Sequence, residues 1–491
     1  MKQIHAIRQE GYQLLHEGMK ELSIVELNGI RVDMDKLEDT KERLRKSISG
    51  IKEEMEASDV WKLWRRRFGI KTNLTSRIQL SKILFEEMDY ECIQKTAAGR
   101  DATDEEALQR IDDPFVKLWI RYAKYEKTLG TFLKGIEKEV VDGFLHPSFN
   151  LHIARSYRSS SDSPNFQNFP ARDKELAEII RSLFIARKGC VLVENDFKGI
   201  EVSMAACYHH DPNFISYITT PGKDMHRDMA AQIYCLKPEE VDKEARYGSK
   251  NKFVFPQFYG NYWKPCAKDL WEWIDKSNLK GPDGKSLKRH LKRQGITELG
   301  DCDPEGDPEP GTFEAHVQDV ERDFWNNRFQ DYGKWKKEWF QEYLKKGYFD
   351  MLTGFRVYGS LNRKQATNYP IQGSAFHCLL WTLIQVNRTL RRRRMESRIV
   401  GQIHDSLVGD VRVEELRDYL EIIEETTTVH LRKHWPWICV PMVIENEVAP
   451  VGGNWFQKQE VKFKKGRFYH PTKEDKSTTN AETFLKILKC M

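Results

Sequence analysis

The polarity pattern changes character near residue 189. Before about residue 150, apolar positions return at helical spacing, through Leu37, Leu44 and Ile48 and again from Ile78 to Met88, with Lys and Arg on the other faces. That periodicity predicts amphipathic helices with a solvated basic surface. From Gly189 the texture shifts to short apolar runs. Cys190–Glu194 leads into Asp196, and Ile399–Ile403 leads into His404-Asp405. Both runs read as buried strands, and Ser406–Val411 as the return strand of a hairpin. A long stretch of mainly helical pattern separates the two, so one sheet interrupted by an inserted helical unit is expected. Gly300–Gly311, rich in Asp, Glu, Pro and Gly, predicts an exposed loop. After Trp455 the periodicity fades into a basic, polar tail with one short helix expected near its end. No internal repeat is visible.

Composition narrows the class without naming it. The 491 residues suffice for about two to four domain-sized units. Forty per cent hydrophobic residues and 13 Trp supply a sizeable core, which excludes a disordered chain. A net charge of +5 is a weak argument for nucleic acid, but the charge is unevenly placed. Arg391–Arg394 form a basic block, the C-terminal tail is Lys-rich, and acidic residues gather between Asp301 and Glu309. Local basic patches matter more for phosphate binding than the total does. None of the nine Cys falls in a Cys-x-x-Cys pair, which argues against a zinc ribbon and for a reducing compartment. The charged N-terminus reads as no signal peptide, and no apolar run approaches the ~18 residues of a membrane span. A soluble intracellular chain is expected, with no membrane partner.

The candidate chemistry starts at the two acidic strand ends. Nucleotidyl transfer commonly uses two Mg²⁺ ions, one activating a 3′-hydroxyl and one neutralising the leaving phosphates. Mg²⁺ prefers carboxylate oxygens, and rigid strand ends are good platforms for them. Paired Asp residues at strand ends are common in other enzymes too, so the neighbourhood must decide. Asp196-Phe197-Lys198-Gly199-Ile200-Glu201 resembles motif A of family A DNA polymerases, and Ile403-His404-Asp405-Ser406 is similar to motif C. The resemblance implies that Asp196 and Asp405 bind metal, with the Phe197 carbonyl as a further ligand. It makes Glu201 a steric gate against a 2′-hydroxyl and puts His404 near the primer terminus. Ser406 departs from the family, which commonly has Glu there.

Arg246 and Lys250, four residues apart, share a helix face and suit a triphosphate, Arg by forked hydrogen bonds and Lys as a compact charge. Such a pair is more often a solvated face. The run from Lys250 to Tyr259-Gly260 resembles motif B, with Tyr259 one residue late. One surplus residue must be absorbed, as by a π-bulge near Phe255-Pro256. Phe253, Val254 and Phe255 compete for the aromatic position against the nucleotide, and Phe255 is the expected one. Asp224-Met225-His226 resembles the preceding family segment, which implies a phosphate contact for His226.

Ser156–Pro170 resembles the family's duplex-contacting loop, with Arg158 and Asn168 in register. Asn368 to Ala375 is similar to the family's helix start, which implies a template contact for Asn368 and a minor-groove contact for Gln372. The minor groove shows acceptors at similar places for every base pair, so Arg158 and Gln372 can check pair geometry without reading sequence. Lys364, with Arg363 beside it, stands where the family has Arg. Weaker matches run from about Leu22 to Gly453-Asn454-Trp455.

The resemblance implies an α+β right-hand fold with an antiparallel-sheet palm, helical fingers and a helical thumb. Residues 1–150 would form the thumb with its lead-in, 151–206 and 346–456 the palm, 207–345 the fingers, and 457–491 a basic tail. The implied activity is DNA-templated addition of dNTPs to a primer, with two Mg²⁺ ions for which Mn²⁺ can substitute. Primer–template DNA and dNTPs are the implied partners of a monomer. Thumb-like sequence beginning near Leu22 leads to the expectation of no proofreading domain, with room for a separate exonuclease or processivity factor. Lys198, Gly199 and Ser203 suggest a phage-type enzyme acting in a host cytoplasm. A single-subunit RNA polymerase on the same fold, or a catalytically dead DNA-binding subunit, are the competing readings.

Overall fold

The computed structural model describes residues 2–92, 95–96, 99–301, 306–464 and 467–468, with side chains between residues 9 and 462 of those ranges. Most of the basic tail, including the short helix expected near its end and Lys465, lies outside the described residues, as do residues 302–305 of the acidic loop.

The central element is a five-stranded antiparallel sheet. Its strands are β1 (Cys190–Phe197), β2 (Arg398–Ile403), β3 (Ser406–Arg412), β4 (Ile444–Val448) and β5 (Gln459–Glu460). They lie in the order β2-β3-β1-β4-β5. The continuous apolar run of β1 is explained by its central place: Val191, Leu192 and Val193 are all buried, as expected of a strand covered on both faces. Its interior amide is satisfied, Asn195 donating to Asn446 at 2.7 Å and accepting from the Tyr419 hydroxyl at 3.0 Å.

Among the described residues, helices precede the sheet, fill the stretch between β1 and β2, and follow β3 at Leu416–Glu425 and Leu431–His434. Helix α1 (Lys2–Asn28) leads the chain, and α2 (Met34–Ala57) packs against α3 (Pro114–Lys127) around buried Trp64, Phe115 and Trp119. Between β1 and β2 come α4 (Ile200–His209), α5 (Met225–Ile233), α6 (Lys243–Ser249), α7 (Gln330–Lys346) and the long α8 (Arg363–Arg392). This is the insertion that the spacing of the two strand ends predicts.

The N-terminal lead-in packs away from the two helices that follow it. Helix α1 does not join α2 and α3 but lies along α8 and β2. Glu21 accepts from both terminal nitrogens of Arg391, at 2.7 and 2.6 Å, and Asn28 donates to the Ile399 carbonyl at 2.9 Å. Arg391 of the basic block is thereby consumed in an ion pair. Buried Leu14, Leu22 and Val25 on α1, with Gly18 close against Leu380 of α8, supply the contact, and the ion pair adds to it; neither segment's own periodicity reveals that pairing.

The C-terminal part of the sheet is locked by aromatic packing. Trp455 stacks on Phe166 at 5.4 Å, edges against Phe184, and carries the Arg181 guanidinium 4.3 Å above its ring. Its indole N–H donates to Glu194 on β1 at 2.8 Å. Trp455→Ala should therefore destabilise the chain by about 3–5 kcal/mol, from the lost side chain and the exposed cavity together. A urea melt reads this, and a loss below about 1 kcal/mol would refute the packing argument. Among the described residues, no helix is long and apolar enough to cross a membrane.

Candidate active site

Strand pairing brings the two acidic ends together. The β2–β3 hairpin closes over a two-residue turn, His404-Asp405, with Ile403 paired to Ser406. His404 takes a left-handed φ of 50°, a conformation that costs a non-glycine residue energy and recurs at functional sites. Ser406 lies directly across from Asp196, and the Phe197 N–H donates to the Asp405 carbonyl at 3.1 Å. The Asp196 and Asp405 carboxyls therefore emerge on adjoining strand ends, with the Phe197 main chain between them. The hydroxyl of Ser406 turns inward, donating to the Ile403 carbonyl at 3.0 Å and toward Glu194 at 3.3 Å.

The electrostatics suit a cation. Burial, then the negative charges of Asp405, Glu194 and Glu445, push the Asp196 carboxyl up to about 8. Burial also raises Asp405, reinforced by Glu201. Glu445, on β4 directly opposite Asp196, is engaged by Lys198 at 2.6 Å. Carboxylates that resist ionisation in an excess of negative charge lack a positive partner, and a divalent cation supplies one. Among the described residues no cluster of three His, Cys, Asp or Glu side chains converges as a metal site, so the fit rests on the Asp196–Asp405 pair.

Facing this pair is a cluster built from three helical segments. Gly199, with φ 60° and ψ 39°, turns the chain into α4 through a left-handed conformation that glycine adopts without penalty. Glu201 sits in the first turn, where it accepts from the Tyr259 hydroxyl at 2.6 Å and Arg158 at 3.3 Å. Asn368 on α8 donates to the Tyr259 carbonyl at 3.3 Å. Glu201, Phe255, Tyr259, Asn368 and Gln372 line one cavity. Gly373, next to Gln372, lets α8 approach the Arg158 loop: a Cβ there would sit 2.5 Å from the Ser156 carbonyl.

The surplus residue before Tyr259 is absorbed by a π-helical turn at Lys250–Val254, followed by a short α-turn at Phe255–Phe258. It lies one turn earlier than the expected bulge at Phe255-Pro256. Pro256 has no N–H and crowds the carbonyl four residues back, and a wider turn before it opens that space. The turn also sorts the aromatics. Phe253 is fully buried, edge-on to Phe324 at 5.5 Å. Phe255 is half-buried, with the Lys250 ammonium 5.3 Å over its ring and His226 at 5.6 Å.

Arg246 and Lys250 place positive charge beside His226, whose ring and the Lys250 ammonium both contact Phe255. Asp224 caps α5 through the N–H groups of His226 and Arg227 and accepts from Arg246 Nε at 2.6 Å. Burial and the charges of Arg246 and Lys250 pull the His226 pKa down to about 4, so its imidazole is neutral near pH 7. Its Nδ1 is buried without a partner, a cost that a ligand oxygen or proton donor at that atom would remove.

His404 stays exposed beside Asp405. Asn168 stands apart from the rest, lining a separate cleft with Arg77, Lys127 and Phe132. Sequence reasoning missed three contributors. Asp224 as the anchor of Arg246 carried a signal, an Asp directly before a helical run. Glu445, which sheet register sets opposite Asp196, and Lys458, which tertiary packing brings to Glu194 at 2.6 Å, carried none.

An antiparallel sheet with paired acidic strand ends, a helical insertion between its strands and a helical bundle before it define the right-hand polymerase class. The model of DNA polymerase family A matches residues 34–277 and 319–457, and the chain belongs to that family. It is 26% identical over 421 residues to the DNA polymerase of Bacillus phage SP01, covering 79% of this chain and 41% of that protein. It is 27% identical over 462 residues to the thermostable DNA polymerase I of Thermus thermophilus, covering 90% of this chain and 48% of that one. The chain thus spans less than half the length of these relatives. The POL domain of Pol1 from M. smegmatis, solved in complex with DNA primer-template and dNTP, shares the fold with a TM-score of 0.68 at 24% identity, over 90% of this chain and 70% of that one.

Proposed function

We propose that the chain is a DNA-templated DNA polymerase that extends a primer 3′ end with dNTPs. The observation that carries this reading is the meeting of Asp196 and Asp405 at adjoining strand ends, with Glu201 and Arg158 beside Asp405. In this reading residues 1–150 act as thumb with its N-terminal lead-in, 151–206 and 346–456 as palm, and 207–345 as fingers. Family A DNA polymerases generally use divalent metal ions. Asp196, Asp405 and the Phe197 carbonyl would hold two Mg²⁺ ions, which when bound supply activation of the 3′-hydroxyl and charge neutralisation on the phosphates.

The chain's own groups do the rest. Arg246 and Lys250 grip the triphosphate and stabilise charge on the departing pyrophosphate. Neutral His226 offers a hydrogen bond without adding charge. Glu201, braced by Tyr259 and Arg158, occupies the space a 2′-hydroxyl would need. Phe255 packs against the incoming nucleotide. Arg158 and Gln372 contact the minor groove, Asn368 the template, and His404 the primer end, while Asn168 meets the duplex further back.

Primer extension with dNTPs against NTPs tests the reading. Template-directed dNTP addition is expected. A preference for NTPs would point to an RNA polymerase, and tight DNA binding without extension to an inactive subunit. Within it, Phe255→Ala should raise the nucleotide KM by about tenfold with the fold intact. Phe253→Ala should instead cost about 3–5 kcal/mol of stability. An unchanged KM for Phe255→Ala would reject its assignment.

A further inference from the structure

The nucleotide-facing helical segment ends on an unusual support. Lys336, on α7, is buried, and its ammonium donates to the Gln257 carbonyl at 3.0 Å. It lies 4.3 Å above the Trp325 ring and 5.7 Å from that of Tyr332. Trp325 in turn donates its indole N–H to the Gln257 side chain at 2.8 Å, and Gln257 is fully buried. A buried ammonium is costly unless its charge is compensated, and here the direct contacts are one carbonyl and two ring faces, with the Glu321 carboxylate as the nearby opposite charge. Burial and the charge of Arg363 pull its pKa down to about 7, with Glu321 opposing. A Met or Leu would fill this space at lower cost, so the cation answers some other requirement.

The requirement lies in what Gln257 leads to. Helix ends leave carbonyls unsatisfied, and the Gln257 carbonyl is shared between Lys336 and the Gly260 N–H at 3.2 Å. Two residues on, Tyr259 places its hydroxyl on Glu201 at 2.6 Å. We infer that Lys336 is a positioning residue for sugar discrimination: by gripping the Gln257 carbonyl it fixes where this helix ends and keeps Tyr259 on Glu201. The inference rests on the polymerase reading above and assigns its selectivity to a side chain that touches neither substrate nor Glu201.

The test compares kcat/KM for a dNTP and the matching NTP on one primer–template, for wild type and Lys336→Met. The selectivity ratio should fall by about tenfold, the loss of one charge-assisted contact, with the change in KM and primer–template affinity within about twofold. A folded variant with wild-type selectivity overturns the inference, as does an equal loss for both nucleotides, which marks a merely structural role. If Lys336→Met fails to fold, Trp325→Phe, which removes the indole donor to Gln257 and part of the ring surface beneath the Lys336 ammonium, should shift the ratio in the same direction, and an unchanged ratio there overturns the inference too. A wild-type chain that extends with neither nucleotide defeats the polymerase reading itself, and this inference falls with it.

Discussion

Asp196→Ala and Asp405→Ala should each reduce primer extension by roughly a thousandfold or more, because groups that act as a unit lose most of their effect when one is removed. Primer–template affinity should hold within about threefold, since phosphate contacts supply most of that affinity and neither carboxylate makes one. Each substitution also relieves the crowding of negative charge around the strand ends, so neither should destabilise the fold. Single-turnover extension and DNA binding at one fixed salt concentration read the two quantities separately. A variant within tenfold of the wild-type rate would remove its Asp from the catalytic assignment.

Glu201→Ala carries the second large effect. Two consequences compete. Removing the side chain opens the space for a 2′-hydroxyl, which speeds NTP addition. It also strands Tyr259 and Arg158, whose bonds to Glu201 are 2.6 and 3.3 Å, which slows dNTP addition. Both push the same way on the ratio, so selectivity for dNTPs should fall by roughly a hundredfold. That exceeds the effect expected at Lys336, which acts only through Tyr259. An unchanged ratio would move the gate elsewhere and leave Glu201 as a hydrogen-bonding strut.

The legible parts of the molecule were those written in local pattern. The apolar runs before Asp196 and Asp405 gave both strands, because a strand covered on two faces, whether central β1 or edge β2, must be apolar along its buried length. The hairpin and the inserted helical unit came with them. The right-hand fold itself came from resemblance of ordered motifs, not from periodicity. The π-turn was half legible: the surplus residue could be counted, but its place depended on how Pro256 crowds the turn before it. What stayed hidden was long-range. The docking of α1 on α8 depends on which apolar faces meet and on Glu21 finding Arg391, the bracing of Glu201 on a tyrosine from another helix, and the opposition of Glu445 to Asp196 on sheet register. Each is set by tertiary geometry that no window of sequence contains.

The central claim is that two carboxylates distant in sequence share bound cations. Manganese binding, followed by electron paramagnetic resonance on the complex with a dideoxy-terminated primer–template and dNTP, tests it most directly. The account predicts bound Mn²⁺ in wild type and loss of at least one bound ion in Asp196→Ala and in Asp405→Ala. Equal Mn²⁺ occupancy in wild type and in the doubly substituted chain would contradict it.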